Sequence, residues 1–302
     1  MSGSARVIRA GDPEWPFHLT QIPRPPDRLW LEGCSLRSGR DAVAVVGTRR
    51  PTAAGLEAAR DIARGLAQAG FVVVSGLAVG IDTAAHKAAI EAGGETVAVL
   101  GCGLDHMYPR VNTKLRKDIT SCGTVASEFT PDTPPRAAHF PQRNRIIAGL
   151  SSAVVVIEGS LRSGARITAS FALDFDRDVF AVPGSIRNPM AAAPNELIRT
   201  SQATLVTDIK HITDELAPGL VWDGGLGREE AAVALDDHEK AVLSLLDDVP
   251  VSPDFVGSET RLPPGRVAVA LSRLEVRNLA RRRPGGYELT EAGGRARSTL
   301  FS

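Results

Sequence analysis

The 302-residue sequence is short of the residues on which disulfide-linked, metal-binding and membrane proteins depend. Its three cysteines, Cys34, Cys102 and Cys122, form no close pair and have no histidine at zinc-binding spacing. Isolated cysteines of this kind favour a reduced, intracellular setting without a metal site. The amino terminus lacks an apolar signal core, and no apolar run approaches membrane-spanning length. We therefore expect a soluble cytoplasmic protein that contacts no membrane and needs no metal, nucleotide or redox cofactor.

An excess of charge of either sign is also missing, since 35 lysines and arginines balance 35 aspartates and glutamates. A protein without net charge has no overall attraction to nucleic acid, so any such binding has to come from local basic patches. Hydrophobic residues make up 43% of the chain, which is enough to bury a full core. The length predicts more than one domain.

The motifs of two common nucleotide-binding folds are absent as well. After the first predicted strand the chain reads Gly47-Thr48-Arg49-Arg50-Pro51, which is not the glycine pattern of a dinucleotide-binding loop. The second predicted strand ends in Ser75-Gly76, without the acidic residue that binds a ribose, and there is no P-loop lysine motif. NAD binding and ATP hydrolysis are therefore disfavoured.

Composition divides the chain into four parts. Residues 1–40 are rich in proline and short on periodicity, which predicts an extended lead-in that packs along the next domain. Residues 41–217 form the core domain. Residues 218–235 combine glycines with acidic residues as a linker does, and residues 236–302 form a small second domain.

The core domain alternates short apolar runs with segments in which apolar residues recur every three to four positions. Strands that are buried on both faces and separated by helices predict an α/β fold with a doubly wound, mainly parallel sheet. The predicted strands are Val43–Val46, Phe71–Val74, Thr96–Leu100, Gly123–Ala126, Ala153–Ile157 and Asp178–Val182. The predicted helices are Ala53–Ala69, Thr83–Ala92, Asn112–Thr120, Arg143–Leu150 and Gly164–Phe175.

The second domain begins with a helix predicted over residues 237–246, followed by a short helix and by a third that starts at Pro263-Pro264. A hairpin is predicted over residues 279–289. Helices followed by a basic hairpin predict a small winged-helix-like domain. The hairpin carries Arg281, Arg282 and Arg283, which are candidates for a secondary contact with duplex DNA or with a protein. The sequence leaves both open, because an arginine run is often only a solvated face.

In a parallel sheet, ligands bind beyond the carboxyl ends of the strands, where glycines let backbone amides approach an anion. Glycines, basic residues and small polar residues recur in the predicted strand-end loops. The candidate binding residues there are Gly47, Thr48, Arg49, Gly76, Gly80, Arg110, Asn112, Ser163 and Gly164.

One segment carries an aromatic ring, an asparagine and two arginines where a loop becomes a helix, at Phe140, Arg143, Asn144 and Arg145. A planar ring beside guanidinium groups can stack on a base and hold the flanking phosphates. Pockets for small metabolites more often contain a carboxylate, a histidine pair or a metal set. The cluster therefore favours nucleic acid as the ligand, although the arginines can also form ion pairs with acids such as Glu128 and Glu158.

One pair of residues invites a catalytic interpretation. Asp82 and His86 lie four residues apart and can share a helix face as an acid–base pair. An N-cap aspartate and a satisfied histidine are the commoner arrangement. Cys102 lies between two glycines, but no nucleophile motif surrounds it, and a small buried thiol is the simpler interpretation. We predict no catalytic residue.

The order of these motifs resembles that of the DprA/Smf family of DNA-processing proteins. The resemblance covers about residues 15–216 and, less specifically, the second domain. It rests on Val46-Gly47-Thr48-Arg49, Ser75–Asp82 with Ala85-His86, Val97–Gly103 with Tyr108-Pro109 and Asn112, Ser127-Glu128-Phe129, Phe140-Pro141 with Arg143–Leu150, Ser163-Gly164, and Val182-Pro183-Gly184.

The resemblance implies an extended Rossmann-like core and a homodimer. It also implies a protein that binds single-stranded DNA, protects it and helps to load a RecA-type recombinase during natural transformation or recombination. Arg49 would then lie in a positively charged DNA pocket, Arg143, Asn144 and Arg145 would correspond to the R-N-R motif of the family, and Phe140 would be a stacking ring. The resemblance does not assign the dimer surface or the recombinase surface in this chain.

Two functions from different classes are therefore in competition. In the first, Arg49, Arg110, Arg143 and Arg145 neutralise phosphates while Phe140 stacks on a base, and no reaction is catalysed. If about four phosphates are neutralised, the affinity falls with salt at a slope of about −3 on logarithmic axes. The alternative is a nucleotide-processing enzyme of the related Rossmann-like nucleoside-monophosphate hydrolase type, whose P-G-G-x-G-T motif is missing from residues 158–164.

Overall fold

The structure is a computed structural model that describes residues 5–36, 41–217, 235–247, 249–276, 279–283, 285–290 and 297. Contacts divide the chain into two compact units, Met1–Leu216 and Ala217–Ser302. The predicted linker lies outside the described residues except for Leu235. None of the helices within the described ranges has the length and apolar character needed to cross a membrane.

The first unit is built on nine strands: β1 (Arg6–Arg9), β2 (Arg28–Gly33), β3 (Ala42–Val46), β4 (Val72–Ser75), β5 (Thr96–Val99), β6 (Thr124–Ser127), β7 (Ala153–Val156), β8 (Asp178–Ala181) and β9 (Thr204–Leu205). They form one sheet in the order β1-β2-β6-β5-β4-β3-β7-β8-β9. Neighbours from β6 to β9 in this order are parallel, whereas β2 pairs antiparallel with both β1 and β6. The mainly parallel α/β sheet that the sequence predicts is confirmed.

Eight helices are described in this unit: α1 (Phe17–Thr20), α2 (Ala53–Gln68), α3 (Ile81–Glu91), α4 (Thr113–Cys122), α5 (His139–Leu150), α6 (Gly164–Asp174), α7 (Ala192–Arg199) and α8 (Ile209–Leu216). Helices α2, α3 and α4 pack side by side, and α1, α5 and α6 pack together as a second group. Because helices cover both faces of the sheet, every residue of β3 to β7 is buried. This two-sided burial explains why these strands read as unbroken apolar runs.

The amino-terminal segment is more regular than its composition indicates. Where proline richness predicts an extended lead-in, the structure has β1, α1 and β2, and β2 pairs with β6 from Trp30↔Ser127 to Gly33↔Thr124. Leu29 and Leu31 are fully buried. The spacing of two residues between Leu29 and Leu31 is the sequence signal for a strand. This signal is weak, because it consists of one short alternation that prolines and charged residues flank.

The second unit contains three described helices, α9 (Asp237–Leu245), α10 (Pro253–Thr260) and α11 (Pro264–Val276), and the hairpin β10 (Ala280–Arg283) and β11 (Gly286–Leu289). Asp236 and Glu239 form a capping box at the start of α9. Helix α10 begins with Ser252 as N-cap and Pro253 in the first turn. The apolar faces of the three helices meet in one small core around Leu243, Val256, Leu271 and Leu274. This is the winged-helix-like arrangement that the sequence predicts, and Pro284 of the predicted turn lies outside the described residues.

The topology determines where a ligand can bind. From β3 the chain moves outward through β4, β5 and β6, and it then returns to place β7 on the opposite side of β3. The loops after β3 and β7 therefore leave the sheet in different directions. Open α/β sheets bind ligands in the crevice that such a reversal of strand order creates.

Candidate nucleic-acid interface

The candidate residues collect at the carboxyl edge of the sheet. We use the name strand-end surface for residues 47–52 after β3, 76–80 after β4, 100–112 after β5, 157–163 after β7 and 139–145 at the start of α5. The loops after β3 and β4 are packed tightly, and the Ile81 amide donates to the Thr48 carbonyl at 3.3 Å. Gly80 has a φ of +90°, and a Cβ atom there would collide with that carbonyl oxygen. A Cβ atom on Gly47 would likewise collide with the side chain of Ile81.

An open stack of one guanidinium group and two aromatic rings lies at the centre of this surface. The Arg49 Cζ atom lies 5.3 Å from the centroid of the Phe140 ring. The Phe140 ring lies 5.3 Å from that of Tyr108, tilted by 46°. A Cβ atom on Gly101 would approach Phe140 to 2.8 Å, so this glycine makes room for the ring. Arg49 and Tyr108 are exposed and Phe140 is partly buried beneath Arg49, so the stack offers a cation and an aromatic ring to a ligand.

Tyr108 belongs to this stack although it is not among the predicted site residues. The sequence contains Tyr108-Pro109 within a motif, but it does not show that the loop after β5 reaches the start of α5. Only the adjacency of strand ends in the folded sheet brings Tyr108 and Phe140 together, because they lie 32 positions apart in the chain.

Arg143 is buried, with 4% of its surface exposed. Its Nη1 atom donates to the carbonyl oxygens of Gly76, at 2.8 Å, and Val99, so the side chain links the ends of β4 and β5. Burial lowers the pKa of the guanidinium to about 10, with Arg49 adding to the shift and Asp82 opposing it. A Cβ atom on Gly76 would lie 2.6 Å from the Arg143 guanidinium, so that glycine provides the space that Arg143 fills.

The other two polar residues of this motif are also engaged within the protein. The Arg145 guanidinium forms an ion pair with Glu128 at 2.5 Å, and both side chains are largely buried. Asn144 is buried and donates to the carbonyl of Gly164 at 3.1 Å, at the start of α6. The pairing of Arg145 with Glu128 is one of the alternatives that the sequence leaves open. Phosphate contact by Arg143 or Arg145 stays a prediction, and in this structure Arg143 Nη1 and Arg145 Nη2 already donate within the protein.

The loop after β5 separates two further candidates. Arg110 is exposed, and no ion pair is found for it within the described residues. Asn112 is buried and donates to the Leu77 carbonyl and to Thr83 Oγ1, both at 2.9 Å. Arg110 is therefore available to a ligand, whereas Asn112 holds the loop after β4 in place.

The remaining candidates shape the turns of the loops. Thr48 Oγ1 lies 3.4 Å from the sulfur of Met190 and accepts from the Arg50 amide at 3.2 Å. Ser163 is the N-cap of α6 and accepts from the Arg166 amide at 3.4 Å. Gly164 is exposed in the first turn of that helix.

A carboxylate of the protein itself occupies the start of α2. Glu158 is buried and accepts from the Thr52 amide at 2.9 Å, the Thr52 hydroxyl at 2.7 Å and the Asn188 side chain at 2.9 Å. A Cβ atom on Gly55 would collide with this carboxylate. The helix N-terminus after the first parallel strand is where an open α/β fold usually binds phosphate. Here Glu158 fills that position.

Asp82 and His86 do not form an acid–base pair. The Asp82 carboxylate accepts from the amides of Gly76 and Ala78 at 3.1 and 3.3 Å, and burial raises its pKa although Arg143 opposes the shift. The His86 Nδ1 atom lies 2.7 Å from Thr96 Oγ1, and burial lowers the pKa of His86 to about 3. His86 is therefore neutral at ordinary pH, and Asp82 stabilises the loop after β4.

In the hairpin of the second unit, two of the three arginines are paired with a glutamate and the third is exposed to a ligand. Arg281 and Arg283 both donate to Glu288 of β11, at 2.5 and 3.1 Å, and these bonds lower the pKa of Glu288. Arg282 lies between them and is exposed. No ion pair is found for Arg282 within the part of the chain that the structure describes.

Comparison with known proteins adds family information to this geometry. The family model for DNA recombination-mediator protein A matches residues 6–217, and the model for the DprA winged helix domain matches residues 227–286. The DNA processing protein DprA of Bacillus subtilis is 42% identical over 211 residues, which are 70% of this chain and 71% of that protein. Protein Smf of Escherichia coli is 37% identical over 288 residues, covering 93% of this chain and 76% of that protein.

Two solved structures have a similar fold. DNA processing protein A from Streptococcus pneumoniae is 40% identical with a TM-score of 0.67, covering 70% of this chain and 74% of that one. DNA processing protein A from Helicobacter pylori, described for its single-stranded DNA binding mode, is 28% identical with a TM-score of 0.63. That match covers 72% of this chain and 98% of the other.

Proposed function

This chain belongs to the DNA recombination-mediator protein A family, known also as DprA or Smf, and on that premise we propose that it binds single-stranded DNA at the strand-end surface. The role we propose for it is DNA processing in recombination or natural transformation. The observation that carries the proposal is the open stack of Arg49, Phe140 and Tyr108 at the switch point of the sheet. We also propose that this work takes place in the cytoplasm.

Within this surface, contact and positioning fall to different residues. We assign phosphate contact to Arg49 and Arg110, which are exposed, and base stacking to Phe140 with Tyr108. Positioning falls to the buried polar residues, since each of them is bonded to the backbone or to another side chain of the loops. They are Asn112, Arg143, Asn144 and Arg145.

The chemistry of the stack favours single-stranded over double-stranded DNA. A base can lie on Phe140 or Tyr108 only if its own face is free, and in a duplex the neighbouring base pairs cover that face. Stacking and phosphate contacts carry little information about base identity. We therefore expect binding that is tolerant of sequence and strongly dependent on salt.

The polar network also favours binding over catalysis. A nucleotide-processing enzyme requires a phosphate site and an available acid or base. The α2 N-terminus is filled by Glu158, whose carboxylate is bonded to Thr52 and Asn188. The carboxylate of Asp82 is bonded to two backbone amides, and His86 is buried and neutral. The geometry therefore gives no support to the nucleoside-monophosphate hydrolase alternative.

Further parts of the proposal rest on the family alone. We propose a RecA-type recombinase as the protein partner and a homodimer as the working form, as the family resemblance implies. For the second unit we propose a secondary contact, with duplex DNA or with a protein, through Arg282, whose neighbours Arg281 and Arg283 are paired with Glu288.

The proposal is tested by fluorescence anisotropy with a labelled oligothymidylate across a salt series. With two phosphates neutralised by Arg49 and Arg110, the association constant falls with salt at a slope of about −1.4 on logarithmic axes. Arg49→Ala should reduce the slope by about 0.7, and Phe140→Ala should weaken binding about tenfold at every salt concentration. Arg64→Ala is the control, because it removes one partly exposed arginine, paired with Asp61, near the opposite end of α2.

Binding that Arg49→Ala and Phe140→Ala leave unchanged, in variants that remain folded, would remove the strand-end surface from the proposal. For the recombinase, filament formation on DNA already covered by a single-strand-binding protein is the relevant assay. The wild-type protein should accelerate it, and Arg49→Ala should not.

A further inference from the structure

A short turn after β8 is held in one conformation by hydrogen bonds at both of its ends. Before the turn, the Asn195 side chain bonds the backbone of Gly184 in both directions, at 3.1 and 2.9 Å. At its last residue, the Asn188 side chain donates to Glu158 at 2.9 Å. Within the turn, the Asn188 amide donates to the Ser185 carbonyl at 2.9 Å. Residues 185–188 therefore form a fixed turn, although they lie in a loop.

This turn presents an apolar side chain and a cation to solvent. Ile186 is 96% exposed, more than any other large hydrophobic residue that the structure describes. Arg187 beside it is exposed, and no ion pair is found for it among the described residues. A single exposed apolar residue is ordinary on a protein surface. Here, however, the backbone is held rigidly around a side chain that adds nothing to the core, which indicates a role in contact with a ligand.

The turn lies on the same edge of the sheet as Arg49. Strand β8 is separated from β3 only by β7, so their ends are about 10 Å apart at the usual strand spacing. Thr48 Oγ1 donates to the sulfur of Met190, two residues beyond the turn, and Glu158 of the loop after β7 bridges the two loops by accepting from both Thr52 and Asn188. The loop after β5, which carries Tyr108 and Arg110, lies on the other side of β3.

We propose that the turn at residues 185–188 continues the strand-end surface across the switch point and binds a further part of the same DNA strand. In this arrangement Arg187 contacts a phosphate and Ile186 packs against the face of a base. The inference rests on the proposed function, because it extends the same site. Its basis is the continuity of the turn with the loop after β3, and the match of a cation and an apolar side chain to the two chemical parts of a nucleotide.

The length of the bound strand distinguishes the turn from the stack. A short oligonucleotide that fills the stack of Arg49 and Phe140 does not reach the turn, whereas a long one contacts both. Arg187→Ala should therefore weaken the binding of an oligothymidylate of about twenty nucleotides by about fivefold and reduce its salt slope by about 0.7. Ile186→Ala should weaken binding about threefold with little change in slope. Neither variant should alter the binding of a thymidine dinucleotide, because its single phosphodiester link is shorter than the roughly 10 Å between the ends of β3 and β8.

The matched variants separate this inference from the proposed function. Arg49→Ala should weaken the binding of both the long and the short oligomer. The control Arg64→Ala should weaken the binding of neither. If Arg49→Ala weakens both but Arg187→Ala weakens neither, the turn is not part of the site and the proposed function stands. If Arg187→Ala weakens both lengths equally, the turn shapes the stack and does not extend it, which also overturns the inference. If Arg49→Ala has no effect on either length, the proposed function itself fails.

A protein surface is the competing occupant of the turn. Sedimentation velocity of Ile186→Ala and Arg187→Ala, at the concentrations used for binding, gives their oligomeric state. Loss of self-association with unchanged affinity for the long oligomer would identify the turn as an interface between copies of the chain and overturn the inference. Both side chains are exposed, so the variants should fold, and circular dichroism checks this.

Discussion

At the scale of single residues, burial separates the arginines at the carboxyl edge of the sheet into two groups. Arg49 and Arg110 are exposed, whereas Arg143 is buried and bonded to the carbonyls of Gly76 and Val99. A buried guanidinium keeps its charge here because two carbonyl oxygens accept from it and Asp82 lies near. A substitution of Arg143 should therefore mainly lower the stability of the fold, and a substitution of Arg49 should mainly weaken ligand binding.

We expect Arg143→Ala to lower the free energy of unfolding by about 3 kcal/mol, because it removes the donor to two carbonyls and the positive charge beside the buried Asp82, and it opens a cavity. Arg49→Ala should change the same quantity by less than about 0.5 kcal/mol, since its side chain is exposed. Urea unfolding of both variants measures the difference. Similar, small losses in the two variants would show that the Arg143 bonds do not stabilise the core.

His86 makes the stability of the protein depend on pH. The hydroxyl of Thr96 donates to the Val73 carbonyl, so it accepts from the Nδ1–H group of a neutral His86. Protonation at Nε2 would place a charge in the core, which is why burial lowers the pKa of His86 to about 3 from its usual 6.5. The unfolded chain takes up this proton below pH 6.5 and the folded chain does not, so stability falls as the pH falls.

From this shift we expect His86 to account for a loss of about 2 kcal/mol in unfolding free energy between pH 6.5 and pH 5. The raised pKa of Asp82 acts in the opposite sense, because acid relieves the cost of its buried charge. The dependence of the wild-type unfolding free energy on pH therefore contains both contributions and does not give that of His86 alone. The measurement is urea unfolding at both pH values for the wild type and His86→Gln. A variant with the same pH dependence as the wild type would contradict this assignment.

At the scale of elements, the site depends on how closely the strand-end loops approach one another. The first residues of α3 bond the loop after β3, and Asn112 holds the loop after β4. Gly80 lies where these loops meet, and it has both a φ of +90° and no room for a side chain. Gly93, after α3, has a similar φ of +73° but nothing within 4 Å of a Cβ atom.

These two glycines form a matched pair for a test of loop packing. Gly93→Ala should cost only the strain of a left-handed alanine, about 1 kcal/mol in unfolding free energy. Gly80→Ala is more strained, because its φ of +90° and ψ of −126° lie outside the left-handed region that alanine can adopt, and it also drives a Cβ atom into the Thr48 carbonyl, so the loss should exceed about 2 kcal/mol. Because Arg49 follows Thr48, Gly80→Ala should also weaken single-stranded DNA binding, whereas Gly93→Ala should not. Equal losses in both variants would contradict the packing argument.

At the scale of the whole molecule, strands β3 to β8 and helices α2 to α6 could be predicted, because strands buried on both faces leave apolar runs between the helices. Strand β9 and helices α7 and α8 are not among the predicted elements. The predicted strand Ala153–Ile157 is one residue longer than β7, and the predicted helix Gly164–Phe175 one residue longer than α6. Strands β1 and β2 could not be predicted in the same way. They lie at the end of the sheet, where β2 shows only one short alternation of buried and partly exposed residues.

The candidate site could be predicted as a set of loops but not as a set of contacts. The motif at Phe140 to Arg145 indicates nucleic acid, yet the direction of each side chain depends on neighbours that are distant in sequence. Arg143 is buried because Gly76 and Val99 present carbonyls to it, and Arg145 is paired because Glu128 lies beside α5. Tyr108 joins the stack only through the adjacency of the loops. Such long-range contacts follow from the topology, which a local pattern does not contain.

The most direct test of the central claim is photochemical crosslinking of a single-stranded oligonucleotide that carries 5-iodouracil. An iodinated base crosslinks to an aromatic ring on which it stacks, and mass spectrometry of the digested protein identifies the modified residue. We expect adducts on Phe140 or Tyr108, and their loss when Phe140→Ala and Tyr108→Ala are combined. Adducts confined to the second unit, for example on Tyr287, with none between residues 101 and 145, would contradict it.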